Sequence, residues 1–317
     1  LSLAPFRAVW SESLVDTVGN HPRERWVMGG GGGPFVPRSK DEMAHIPWFV
    51  DWSISFTAGV TSALCAAPFI LIVDRAVTEN SAGKSGLGKA LQSGITEFIM
   101  RPHQMLTRLP FWMVAGVYGA TYATANSIDV ACERQSTGAA VHSGVKLFGV
   151  TAVNMSAGVA KDAAFARMFG AAGAAAARPV GWTSLGLFAF RDLLTIGSAF
   201  IVPQLLAQTL VAAGTMDEAG AASSAQLLSP IGMQLVLTPI HLLALNIYNE
   251  PKAAPAERAQ QVGRFVPAST LARMGRFGCA YGVGGVMNTT LTARGREWAR
   301  ERYGPPALAG VSAGQIH

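Results

Sequence analysis

The chain has 317 residues, 50% hydrophobic and only 14% charged, with 25 Lys and Arg against 19 Asp and Glu for a net charge of +6. Soluble domains carry about a quarter of their residues as charges, so an ordinary water-soluble domain is the poorer reading and a membrane protein the better one. Nucleic-acid binding is disfavoured too, because no basic stripe carries interleaved aromatics or a recognition motif.

Residues 1–46 read as an N-terminal arm. Its glycine run at 29–33, flanked by Pro34 and Pro37, suits no regular helix. The arm is a linker by composition and is expected to dock against other chains. No positively charged stretch followed by an apolar one opens the chain at Leu1, so a secretory signal is not visible, and an already removed presequence would fit.

Six apolar blocks follow at 48–73, 105–125, 145–160, 180–212, 226–247 and 277–291. Each is close to the ~20 residues that cross a bilayer as a helix, the third and sixth being short or glycine-rich. In a bilayer every backbone polar group must be paired internally, which makes helices the default. The alternative, a large soluble helical protein, sits poorly with a block as long as 180–212.

After the first block, Asn80-Ser81-Ala82-Gly83 predicts a turn and 88–100 a short amphipathic helix; 169–179 and 250–266 are the matching connections later on. The stretches 133–141 and 213–224 are polar or small enough to be surface loops. Small residues recur at helical spacing, Ser55, Gly59, Ala63 and Ala67 in the first block and Gly278 and Gly282 in the sixth, and predict close backbone approach.

Arg108, Arg191 and Arg276 fall 83 and 85 residues apart within or beside apolar blocks. Burying one such charge at mid-membrane costs roughly 2.5–3.5 kcal/mol. Pro68 and Pro239, late in the first and fifth blocks, are 171 residues apart, about twice that interval. Two agreeing series are the mark of an internal repeat. The predicted fold is an all-α membrane protein with six transmembrane helices in three pseudo-threefold two-helix repeats. Its divisions are an arm at 1–46, repeats at 47–135, 136–216 and 217–293, and a C-terminal tail at 294–317.

The three arginines, with Arg273 one turn from Arg276, are candidates to face a solute cavity. The competing reading is mutual neutralisation between helices, since Asp192 follows Arg191 and Asp162 follows Lys161. His241 is either a protonation switch or a packed, hydrogen-bonded histidine. Gly83-Lys84-Ser85 copies the end of a phosphate loop, but Thr78 stands where its first glycine belongs, which excludes nucleotide hydrolysis. Gly86, Gly88 and Lys89, at a helix start, are candidates to hold a lipid phosphate. The arginines before the first block and after the last (Arg294, Arg296, Arg300, Arg302) are either headgroup contacts or solvated flanks. Cys65, Cys132 and Cys279 share no ligand spacing and read as small hydrophobes. No catalytic or metal constellation is present in the sequence, so no enzyme and no cofactor are expected.

The paired blocks, a proline late in the first and fifth helices and an arginine early in each even one resemble the mitochondrial carrier family of inner-membrane solute transporters. More narrowly, Ala67-Pro68-Phe69-Ile70-Leu71-Ile72-Val73-Asp74, Lys161-Asp162-Ala163-Ala164-Phe165-Ala166-Arg167-Met168-Phe169-Gly170, Thr238-Pro239-Ile240-His241-Leu242-Leu243-Ala244-Leu245 and Ser269-Thr270-Leu271-Ala272-Arg273-Met274 are similar to a diverged eukaryotic family of carrier-related membrane proteins. The resemblance implies a mitochondrial inner-membrane location and bound cardiolipin or another phospholipid. It also implies a gate motif of proline, acid and base, which is degenerate here. Pro68 is followed by Ile70 and Val73, with Asp74 only afterward; Pro239 is followed by His241 and Ala244; the third block has Lys161-Asp162 and no proline. A carrier without its gate pairs is expected to serve as a structural or accessory subunit of a larger complex, of the respiratory chain or ATP synthase, held through the 1–46 arm. The alternative is a working transporter of a small anionic metabolite.

Overall fold

The structure is a computed structural model that describes residues 27–28, 34–35, 43–170, 179–200 and 202–304. The glycine run at 29–33, most of the arm, most of the 169–179 connection and the end of the C-terminal tail therefore lie outside the described residues. Within the arm, β1 (Val27–Met28) and β2 (Pro34–Phe35) pair antiparallel, Val27 opposite Phe35. All other described elements are helical.

α1 (Trp48–Ser81) begins directly after Pro47, whose ring suits a helix start. Its 34 residues make it about 51 Å long. α2 (Leu87–Met100) and the single-turn α3 (Pro102–Leu106) lead into α4 (Leu109–Arg134). α5 (Ala139–Phe169) precedes α6 (Trp182–Phe200) and α7 (Val202–Ala212). α8 (Glu218–Gly232), capped by the Asp217 carboxylate, hands over to α9 (Gln234–Asn249) at Met233. α10 (Pro255–Cys279) passes through a π-helical segment (Ala280–Gly285) into α11 (Val286–Tyr303).

Packing follows chain order and closes on itself. α1 lies on α4, α4 on α5, α5 on α6, α6 on α9 and α9 on α10, while α10, the π segment and α11 return to α1. α1, α5 and α9 also touch one another across the interior, so that interior is pinched where these three helices meet.

Six uniform spans are not what the described residues present. Only α1 is both long and apolar enough to cross a bilayer on composition. The apolar block at 180–212 is divided between α6 and α7, the block at 226–247 is divided at Met233, and the sixth is spread over α10, the π segment and α11. α4 and α5 are long enough, but they carry Asn126, Asp129, Lys146, Asn154, Lys161 and Asp162. Inward-facing polar groups thus lower the apolarity on which span recognition depends.

The small-residue stripe of α1 is buried at Ser55, Gly59, Ala63 and Ala67. At Gly59 the backbone of α4 comes so close that a Cβ would lie 3.1 Å from Tyr122 C and Cβ and 3.2 Å from Ala123 N. Gly278 and Gly282 have no neighbour within 4 Å of an added Cβ, so the close approach expected of them is made by Gly284 instead, beside the Tyr122 hydroxyl. Gly59→Ala is expected to lower stability by about 1–3 kcal/mol, because backbone atoms cannot be pushed aside cheaply. Gly116→Ala, with open space around it, should be neutral or better. Thermal unfolding of the two detergent-solubilised variants checks the contrast.

Candidate functional site

Buried charges gather where α1, α5, α6 and α10 converge. Asp74 sits two turns before the end of α1, Lys161 and Asp162 two turns before the end of α5, Arg191 and Asp192 mid-way along α6, and Arg276 near the end of α10. All six are buried. Lys161 Nζ donates to Asp74 Oδ2 at 2.5 Å and lies 2.8 Å from Asp162 Oδ1. Arg191 Nη2 donates to Asp162 Oδ2 and lies 2.9 Å from Asp192 Oδ1. Arg276 Nε stands 3.5 Å from Asp74 Oδ1, and its Nη1 donates to the Tyr118 hydroxyl at 2.8 Å. Three acids and three bases therefore form one connected, neutral layer.

Helical spacing sets which side of this layer is open. One turn beyond it, Val77 of α1, Ala166 of α5, Phe188 of α6 and Leu242, Leu245 and Tyr248 of α9 form an apolar plug. On the other side lies a cavity of about 110 Å³. Its walls are Val117, Tyr118, Thr121 and Tyr122 of α4, Val150, Asn154 and Gly158 of α5, Thr195 and Ile196 of α6, and Phe277 and Ala280 at the end of α10. Its floor is the charge layer itself, through Lys161, Asp162, Arg191, Asp192 and Arg276.

Pairing inside the layer is incomplete on the cavity side. Asp192 Oδ2, Arg191 Nε and Arg276 Nε are buried without a hydrogen-bond partner. Asp192 Oδ2 faces Gly158, where an added Cβ would lie 2.8 Å from it. The glycine is what leaves that oxygen its room. Buried polar groups left unmatched are costly and rare, so these three atoms mark where the pairing of the layer is incomplete.

Arg108 does not join this site. It precedes the first turn of α4 with its side chain 56% exposed, and its Nη1 donates to Glu97 of α2 at 2.6 Å; Glu97 also takes Arg75 at 3.0 Å. The equal spacing of the three arginines is real in the sequence, but Pro110 starts α4 just past Arg108 and leaves that residue at the helix mouth. Arg273 is 1% exposed and donates from Nε to Gln234 Oε1 at 3.2 Å, one turn past the layer. His241 lies against Phe188, ring centres 5.5 Å apart, with Nδ1 unpartnered. Pro68 and Pro239 are interior to α1 and α9. Gly86 caps α2 with Gly88 and Lys89 exposed beside it and no atom near either glycine, and nothing further there points to a ligand.

Mutual neutralisation between helices, one of the two readings of these charges, is what the layer shows. The acid after Pro68 is Asp74 rather than position 70, and its partners Lys161 and Arg276 come from α5 and α10, outside any proline motif. A second polar layer, missed in the sequence, ties the opposite ends of α1 and α5 to α4 and α11. Asp129 holds His142 at 2.8 Å and Lys146 at 2.7 Å, Arg296 approaches Glu133 at 3.4 Å and Asp51 at 3.7 Å, and Arg134 donates to Ile46 O. Arg296 is thus an internal tie rather than a headgroup contact. The signal was present, since Asp129 and Lys146 are charges in otherwise apolar stretches.

The described helices thus close around a small, charge-floored cavity. Residues 57–295 match the sequence profile of the family described as probable citrulline exporter, and the chain belongs to that family. No curated protein and no solved structure matches it. The resemblance to mitochondrial carriers is thereby overturned, because the matched family is a different one. Nothing in these matches supports the accessory-subunit reading, and an exporter family favours the transporter alternative.

Proposed function

We propose that the chain is a membrane exporter of citrulline, an amino acid with an α-ammonium, an α-carboxylate and a neutral ureido side chain, and that the cavity above the charge layer is where it binds. The carrying observation is that residues on the cavity floor keep unmatched atoms of both kinds: Asp192 Oδ2, an acceptor for the ammonium, and Arg191 Nε, a donor for the carboxylate. A purely anionic solute suits this floor less well, because three acids already balance its three bases and leave no excess positive charge. The cavity is small, about 110 Å³, which disfavours a solute the size of a nucleotide.

In this reading α1, α4, α5, α6 with α7, α8 with α9, and α10 with α11 are the membrane-crossing segments, in three two-helix units. Their charges then face the interior, where intramembrane charges belong. Purified protein in vesicles loaded with radiolabelled citrulline is expected to release it saturably, in competition with unlabelled citrulline. Release no faster than from protein-free vesicles overturns the proposal.

A further inference from the structure

The walls of the cavity hold polar groups that the charged floor does not use. Most are already engaged. Thr121 donates to Val117 O at 2.7 Å, Thr195 to Arg191 O at 2.9 Å and Tyr122 to Ala280 O at 3.2 Å, while the Tyr118 hydroxyl accepts from Arg276 at 2.8 Å. Asn154 of α5 differs. Its Nδ2 donates to Thr121 Oγ1 at 3.1 Å, and no other hydrogen bond ties its carboxamide among the described residues. An amide carries two N–H donors and an oxygen with two lone pairs, so a donor and an acceptor remain on a residue that lines the cavity.

The place of Asn154 follows from helical spacing. Asn154, Gly158 and Asp162 recur every four residues along α5 and so share one face. Asp162 belongs to the floor, and Gly158 leaves room for Asp192 Oδ2. Asn154 therefore stands one turn, about 6 Å, from the glycine beside that oxygen, on the side away from the plug.

Resting on the proposed export of citrulline, we infer that Asn154 is the specificity residue that reads the ureido group. With the ammonium on Asp192 and the carboxylate on Arg191, three methylenes rise along α5 by about the length of that one turn and bring the ureido group to the carboxamide. A ureido group is neutral and presents an acceptor oxygen beside N–H donors. It matches the donor and acceptor of Asn154 in two parallel hydrogen bonds. The only acids lining the cavity are Asp162 and Asp192 of the floor, so an ammonium at the height of Asn154 is shielded from water with no counter-charge. That costs far more than a neutral hydrogen bond left unmade, and ornithine is refused.

The test compares citrulline, norvaline (the same α-carbon and three-carbon chain without the ureido group) and ornithine in vesicle export by the wild type, Asn154→Leu and Asn154→Asp. In Asn154→Leu the ratio of citrulline to norvaline rates should fall about tenfold, a hydrogen bond's worth of discrimination, with norvaline export unchanged. In Asn154→Asp the new carboxylate supplies the missing counter-charge, and the ratio of ornithine to citrulline rates should rise about tenfold. Thermal unfolding checks that both variants fold, and if Asn154→Leu does not, the ornithine ratio of Asn154→Asp decides alone. An unchanged ratio, equal slowing of citrulline and norvaline, or ornithine leaving the wild type as fast as citrulline overturns the role of Asn154 and leaves the proposed export standing. A wild type that exports no citrulline overturns both.

Discussion

Asp162→Asn is expected to remove most of the protein's stability, about 3–5 kcal/mol, which is the cost of leaving a buried charge without its partner. Asp162 is the hinge of the charge layer, since it pairs with both Lys161 and Arg191. With it gone, three bases face two acids behind an apolar plug. The double variant Lys161→Met with Asp162→Asn restores balance between the remaining charges and should recover much of the loss. Such non-additivity is what direct neighbours in one network show. Arg108→Ala breaks an ion pair of equally good geometry, yet should cost only about 0–1 kcal/mol, because its side chain is 56% exposed and water screens the pair. Thermal unfolding of all three variants in one detergent decides the matter. Equal losses for Asp162→Asn and Arg108→Ala would sink the idea that the layer is a buried, dry network.

Asp192→Asn should slow citrulline export by roughly 30- to 4000-fold, the effect of losing about 2–5 kcal/mol from a buried charge-assisted contact. The protein should still fold, because Arg191 keeps Asp162. Gly158→Ala is expected to act through the same oxygen. Its Cβ would sit 2.8 Å from Asp192 Oδ2, closer than real contacts allow, so the carboxylate must turn away and export should drop about tenfold. The α-amino group is the readout that separates binding from general damage. A citrulline analogue lacking that group should compete for the wild type weakly and for Asp192→Asn equally well. If both variants lose affinity for the amino-free analogue as strongly as for citrulline, Asp192 is not the ammonium contact.

The second polar layer shows what kind of feature each level of description can hold. Asp129, His142 and Lys146 stand 13 and 17 residues apart along the chain, on the end of α4 and the start of α5. The turn between these helices brings them together, and no periodicity announces it. Lys161 and Asp74 are 87 residues apart, and no local pattern links them.

What the chain alone determined is its class and its small-residue contacts. Low charge and long apolar blocks required helices wherever the backbone is shielded from water, and the stripe through Gly59 had to meet another helix because nothing larger fits there. The opposite-charge neighbours Lys161-Asp162 and Arg191-Asp192 pointed to neutralisation, and they sit at the heart of the layer. Folding decided which charges count. Arg108 and Arg191 look alike in sequence, but Pro110 leaves one at a helix mouth in solvent, while mid-helix placement commits the other to the interior. The repeat spacing suggested the wrong family because equal intervals constrain only helix length, whereas the ligand-binding surface depends on which faces turn inward. Gly158, an ordinary glycine in the sequence, acquires its meaning only from the carboxylate oxygen of another helix that occupies its missing side chain's place.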